Sequence, residues 1–230
     1  MKISVIIPTL NEEKYLPYTL FHAKQMKPYE IIVADCGSKD NTLTIAKKFQ
    51  AKTIKISKKN PGAARNGGSK ISKGDVLLFL DADTIPFLNM LDEIKKAFKK
   101  RKTVAWTCPL LAFSPNRKDY SLYEMSNEIV KFMIETMKKP HCPGAVMAIR
   151  KNVFEKIGGF DENLKNNEDH DLAIKTKKYG KFVFCKKTCA FNSTRRVNKI
   201  GIKNILKKYS VSYLNYKLGK KGNIDYNTIR

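Results

Sequence analysis

The sequence predicts a single α/β domain built on a mainly parallel sheet. Three observations carry that expectation. Short β-branched runs alternate with helix-period patterns through the first half, as βαβ units require. The 230 residues fit one domain with a sizeable core. No Ser-, Pro- or Gly-rich stretch, repeat or low-complexity block divides them.

In order, strands are expected near Ile3–Ile7, Glu30–Ala34, Thr53–Ile56 and Val76–Leu80. Between them, Glu13–Met26 has helical periodicity with Asn11 as its cap, and Ser38 or Asp40 can cap a helix running to about Gln50. Pro61 suits the first turn of a helix over Gly62–Lys73. The second half is less regular. It reads as a helix near Leu88–Lys100, a strand near Val104–Cys108, a helix within Asp119–Met137 and a strand at Gly144–Ile149. Short helices at Lys151–Ile157 and Glu168–Tyr179, strands at Phe182–Cys185 and Ala190–Asn192, and a basic helix over about Lys199–Leu218 complete the chain, so the sheet becomes mixed here.

Lys and Arg number 45 against 21 Asp and Glu, a net charge of +24, and such a field attracts nucleotides, phospholipid headgroups or nucleic acid. Runs such as Lys99-Lys100-Arg101-Lys102 also read simply as solvated helix faces. The opening Met1–Pro8 passes straight into a strand pattern without a cleavage site, so a cytoplasmic protein is expected. No apolar run approaches the ~20 residues that span a bilayer, which leaves peripheral contact with the inner face of the cell membrane as the form membrane association would take. Five irregularly spaced cysteines fit a reducing compartment, with Cys185 and Cys189 as strand or turn residues.

Ligands of open parallel α/β sheets bind beyond the carboxyl ends of the strands. Those ends read Pro8-Thr9-Leu10-Asn11-Glu12, Asp35-Cys36-Gly37-Ser38 and Asp81-Ala82-Asp83, and the third strand leads to Asn60–Asn66. Two carboxylates spaced as Asp81 and Asp83 can share a divalent ion whose remaining ligands are substrate phosphates. The same pair also occurs as turn and capping residues. Glu12 has the alternative of complementing a helix dipole.

These stretches, with Gly62–Asn66, Gly158-Gly159-Phe160-Asp161 and Glu168-Asp169, resemble the family 2 glycosyltransferases of GT-A fold, from Lys2 to about Arg196. The resemblance implies a Rossmann-like αβα sandwich with a mainly parallel mixed sheet. It implies a GT-A domain over 1–198, with a nucleotide-sugar-binding half (1–103) and an acceptor-binding half (104–198), followed by a basic helix and tail (199–230). Pro8, Thr9, Asn11 and Glu12 would line the nucleotide pocket, and Asp35 would bond the base. Arg65 would approach the diphosphate or base, Asp81 the ribose, sugar or metal, and Asp83 the metal, Mn2+ or Mg2+. Asp169 would be the general base, because an alcohol near neutral pH needs a carboxylate to take its proton; a single base implies inversion. Cys36 stands where many relatives have a second acid, which bears on base selectivity.

The implied donor is a nucleoside-diphosphate sugar of UDP or GDP type and the acceptor a saccharide or a lipid-linked molecule. Glu168, Arg195 and Arg196 are candidates for phosphate or acceptor contacts, with a solvated surface as the other reading of the arginines. His141 and His170 are left outside the catalytic set, His170 as a surface or packing residue. The basic C-terminal helix reads either as a contact with an anionic membrane or as a helix packed on its own domain. Two other functions are weighed. A nucleotidyltransferase would want a Gly-rich basic phosphate loop after the first strand, where Pro8–Glu12 is acidic. A nucleic-acid-binding protein is suggested only by charge, and no recognised motif accompanies it.

Overall fold

A computed structural model describes residues 1–164 and 166–217; Lys165 and residues 218–230, which hold the end of the expected basic helix and the tail, lie outside the described residues. The first half runs β1 (Ile3–Thr9), α1 (Leu16–Gln25), β2 (Glu30–Asp35), α2 (Thr42–Lys48), β3 (Lys52–Lys55), α3 (Pro61–Ile71) and β4 (Val76–Leu80). Then come β5 (Thr84–Pro86), α4 (Met90–Phe98), β6 (Thr103–Thr107), β7 (Leu110–Phe113), α5 (Arg117–Glu135) and β8 (Val146–Arg150). The last elements are α6 (Lys151–Ile157), α7 (Glu168–Thr176), β9 (Lys181–Phe184), β10 (Ala190–Ser193), α8 (Arg195–Ile200) and α9 (Ile202–Lys217).

Seven strands form one sheet in the order β3-β2-β1-β4-β8-β6-β9. Only β8 runs against its neighbours, so the sheet is mixed but mainly parallel. Both faces are covered, which is why the central strands are continuous apolar runs rather than alternating ones. Val5, Ile7, Leu78 and Leu80 pack against Leu16 and Leu20 of α1 and Met90 and Ile94 of α4. Their neighbours Ile6, Leu77 and Phe79 pack on the opposite face with Phe154 of α6, Phe160 and Leu172 of α7. Each such side chain taken from water contributes about 1.5–3 kcal/mol. A second sheet, β5-β10-β7, crosses the C-terminal side and was not expected from the sequence.

Helix α3 starts where expected. Asn60 caps it by accepting from the Ala63 N–H at 3.0 Å, and Pro61 occupies the first turn. Its glycines let it lie close to the sheet: a Cβ on Gly68 would fall 2.5 Å from Ile6 Cγ2. That approach carries Arg65 and Asn66 inward. Asn66 Nδ2 donates to the Phe160 carbonyl (2.9 Å) and to Glu162 Oε1 (3.0 Å), while its Oδ1 accepts from the Phe160 N–H (2.9 Å). These bonds anchor the Gly158-Gly159 turn, whose left-handed backbone (φ 86° and 74°) leads to α7.

Two local expectations are corrected. Asn11 does not cap α1, which begins at Leu16 after Tyr15; Asn11 has φ 54° and spends its side chain on the Lys39 N–H. The C-terminal helix is two, broken at Gly201, whose φ of 82° no right-handed helix accommodates.

Asn66→Ala removes three hydrogen bonds that tie α3 to the turn before α7. Stability should fall by about 2–4 kcal/mol in urea unfolding, and a change below about 0.5 kcal/mol would show that the turn holds itself.

Candidate active site

One end of the crevice is built where β1 and β2 finish side by side, with Thr9 opposite Asp35. Asp35 is fully buried. Its Oδ1 accepts from Thr9 Oγ1 (3.1 Å) and from the Ser38 hydroxyl, and its Oδ2 accepts from the Gly37 and Ser38 N–H groups (3.0 and 2.9 Å). Ser38 Oγ in turn accepts from the Asn11 N–H at 2.8 Å, which staples the loop of Asn11 and Glu12 to the loop after β2. Asp35 thus shapes this loop pair with both oxygens engaged. A contact with a base would need one of those donors, such as the Ser38 hydroxyl, to turn away. Pro8 lies beside Thr9 on the same strand end, half-buried.

At the centre sits Arg65, 3% exposed. It donates from Nη1 to Glu168 Oε1 (2.9 Å), and from Nη2 to Asp81 Oδ1 (2.8 Å) and the Gly144 carbonyl (3.3 Å). Its guanidinium also stands 5.3 Å from the Phe160 ring. Arg65, which the resemblance directs toward the diphosphate or base, is in the fold the counter-ion that gathers Asp81, just after β4, with Glu168 at the start of α7. Burial pushes the carboxyls of Glu168 and Asp169 upward, opposed by Arg65. Asp169 keeps part of its surface open and is braced by the Gly144 N–H. A side chain at position 144 would meet it, since a Cβ there falls 2.9 Å from Asp169 Oδ2.

A second charged group forms around Asp83. Strand β10 pairs with β5, and the Ser193 N–H donates to the Asp83 carbonyl at 3.1 Å, bringing Arg195 over the acid pair. Arg195 forks onto Glu12 (Nη1 to Oε2 2.7 Å, Nη2 to Oε1 2.8 Å), and its Nε lies 2.9 Å from Asp83 Oδ2. The dipole reading of Glu12 is thereby replaced: it precedes α1 and pairs with a residue of α8. Arg196 adds positive potential at Asp83. His170 is 1% exposed, a packing residue, and its Nδ1 lies 2.7 Å from His141 Nδ1. Sequence reasoning missed this contact, because nothing in their spacing joins them. Cys185 and Cys189 fall between β9 and β10.

Five carboxylates (Glu12, Asp81, Asp83, Glu168 and Asp169) therefore meet two intimate guanidiniums within a chain of net charge +24. Asp83 registers the imbalance: burial raises its carboxyl to about 6 against the pull of Arg195, with Asp81 and Glu12 adding to the rise. Among the described residues no three acid, histidine or cysteine side chains form a closed cation cage. The donor set fits a hard divalent ion of the Mg2+ or Mn2+ kind, which takes one or two carboxylates and completes its shell with phosphate oxygens.

A mixed αβα sandwich with these acids beyond its central strands is the GT-A fold. Solved structures agree. The S. aureus TarS 1–349 complex with UDP-GlcNAc superposes with TM-score 0.69 at 21% identity, over 85% of this chain and 59% of that one. A mannosyltransferase from Pyrobaculum calidifontis, in complex with GDP-Man and Mn2+, gives TM-score 0.73 at 15% identity over 97% of this chain and 66% of the other. The chain belongs to glycosyl transferase family 2, whose family model matches residues 4–158. Among curated relatives, the uncharacterized glycosyltransferase RP339 of Rickettsia prowazekii is 31% identical over 75% of this chain. The O-antigen chain rhamnosyltransferase RfbN of Salmonella typhimurium is 32% identical over 80% of it. This chain covers 58% and 64% of those two proteins' lengths.

The Asp83 environment sets a sign for pH. Its folded carboxyl holds a proton up to about pH 6, whereas the unfolded one, near 3.8, has released it. The part of stability owed to Asp83 should therefore fall by about 2–3 kcal/mol as pH rises from about 4 to about 6 and level off above, while Glu168, raised to about 7, carries the decline further. Urea unfolding of Asp83→Asn at pH 4.5 and 7.5 should show that part of the slope removed and the part owed to Glu168 and Asp169 retained; an unchanged slope would contradict the assignment.

Proposed function

We propose that this chain carries the catalytic domain of an inverting, divalent-cation-dependent glycosyltransferase that takes a sugar from a UDP- or GDP-type donor to a saccharide or lipid-linked acceptor. The observation that carries the reading is the arrangement around Arg65. One buried guanidinium holds the strand-end acid Asp81 and the helix-start acid Glu168 together, and Asp81 is felt electrostatically by both Asp169 and Asp83.

In this reading Pro8, Thr9, Asn11, Glu12 and Asp35 shape the nucleotide pocket, and Asp81 orients the ribose or sugar. Asp83 and Asp81 would hold Mn2+ or Mg2+, which when bound neutralises charge developing on the leaving diphosphate. Asp169 accepts the proton of the acceptor hydroxyl as its oxygen bonds to the anomeric carbon. The bond from that carbon to the diphosphate breaks, and its electron pair leaves with the diphosphate. A carboxyl raised by burial is a better-matched base near neutral pH than an ordinary aspartate. The Gly144 N–H holds it in place, and Arg65, bonded to the Gly144 carbonyl, lowers the cost of its charge.

The acceptor side carries its own support. Asn167, just before α7, donates from Nδ2 to Ser212 Oγ (2.8 Å) in the middle of α9, so α9 packs on the domain beside the base. Its outer positions leave Leu206, Val211 and Leu214 43–58% exposed, and no acidic residue occurs between Arg195 and Lys217. That face suits an anionic bilayer carrying a lipid-linked acceptor, and a protein active in the cytoplasm at the membrane's inner face. Among the described residues no helix is long and apolar enough to cross a membrane.

The test combines donor sugars with a free saccharide and with a lipid-linked saccharide in phosphatidylglycerol vesicles. Free nucleoside diphosphate and a glycosylated product are expected; pyrophosphate as the product would favour nucleotidyl transfer instead. Asp169→Asn should lower transfer to a hydroxyl by at least about 100-fold while leaving donor binding in place, and a variant keeping most of its activity would remove Asp169 from the role of base.

A further inference from the structure

Arg195 occupies an odd position for a residue expected to meet phosphate. All three of its side-chain nitrogens are engaged by carboxylates: Nη1 and Nη2 by Glu12 at 2.7 and 2.8 Å, and Nε by Asp83 Oδ2 at 2.9 Å. The group is sheltered, with side-chain exposures of 20% for Arg195, 4% for Glu12 and 10% for Asp83. Tyr15 covers the guanidinium, its ring centre 4.6 Å from Cζ. The backbone holds it from the other side, through the Ser193 bond to the Asp83 carbonyl and the Arg195 N–H bond to Ser193 Oγ at 3.2 Å. A fixed positive charge thus rests on the carboxylate oxygen that a divalent ion would need.

We infer that Arg195 is the resident cation of the donor-free site, neutralising Asp83 until a divalent ion arrives together with a nucleotide diphosphate, so that ion binding is conditional on the nucleotide. The inference rests on Asp83 being the ion's ligand. An ion approaching alone must break the Nε–Asp83 ion pair or sit beside a like charge in a sheltered place, and it leaves the Arg195 charge without its partner at Asp83. An ion arriving with a diphosphate meets the same contact but brings its own compensation. The phosphate oxygens supply the guanidinium with a new acceptor, to which its planar fork is well suited, and they lend the ion its remaining ligands. The two ligands therefore bind with positive coupling, and the coupling is reciprocal. Glu12 is the positioning residue, because its two-point grip keeps Arg195 at the crevice in both states.

The experiment measures Mn2+ affinity by electron paramagnetic resonance on the full chain, with and without UDP and GDP. Wild type should bind Mn2+ weakly alone and at least about tenfold more tightly with its nucleotide. Arg195→Met should bind Mn2+ alone about tenfold more tightly than wild type and lose most of the coupling, while Arg195→Lys, which keeps the charge, should stay weak. Nucleotide-dependent Mn2+ binding that Arg195→Met leaves unchanged would overturn the proposal and spare the reading of Asp83. Absence of Mn2+ binding in every protein, with or without nucleotide, would overturn both. A readout on wild type avoids dependence on the variant's folding: the Arg195 Nε–H resonance should shift on adding Mg2+ with nucleotide and not with Mg2+ alone, and a resonance unmoved at saturation would also overturn the proposal.

Discussion

The buried guanidinium of Arg65 is the interaction on which the site depends. It reaches from the second turn of α3 to a carboxylate at the end of β4 and another at the start of α7, residues 16 and 103 positions away. Breaking a pair of this kind costs about 3–5 kcal/mol, because uncompensated charge is left inside. The fold meets the geometric requirement with small residues. Gly67 and Gly68 let α3 approach the sheet, Gly62 lets its first turn lie against Phe160 and Glu168, and Gly144 leaves room for Arg65 and Asp169 to share one wall. The core therefore serves mainly to fix where one guanidinium points.

Around that centre the charges are unequally balanced. Each guanidinium serves two carboxylates: Arg65 is hydrogen-bonded to Asp81 and Glu168, while Arg195 is hydrogen-bonded to Glu12 and ion-paired with Asp83. The crevice is thus deficient in positive charge inside a strongly basic molecule. Under the proposed function, a nucleotide drawn by the outer field would meet an inner surface that accepts its phosphates more readily with an additional cation, which is the physical reason for proposing that the donor enters as an ion complex.

Much of the fold was legible because the central strands are buried on both faces and so read as unbroken apolar runs, as at Val76–Leu80. The small sheet was not. Strand β5 is three residues long and follows the acid pair directly, and β7 has no alternation to mark it. Gly201 breaks the C-terminal helix with its φ of 82°, whereas the apolar periodicity runs on across it. In the site, acids at strand and helix ends were legible one by one, since topology predicts where ligands bind. Their partners were not: Glu12 and Arg195 are 183 residues apart and meet in the tertiary fold, where the β5–β10 pairing sets Arg195 beside Asp83. Asn66 offered a faint signal as an amide inside a helix, and His141 with His170 offered none.

The central claim is that this crevice binds a nucleotide through a divalent ion held at Asp83. Calorimetry with UDP-, GDP- and dTDP-sugars, with and without Mn2+, on wild type and Asp83→Ala addresses it directly. The account predicts binding of one nucleotide class that requires Mn2+ and disappears in the variant. Binding by none of them to a folded protein, or equal binding by the variant, would contradict it.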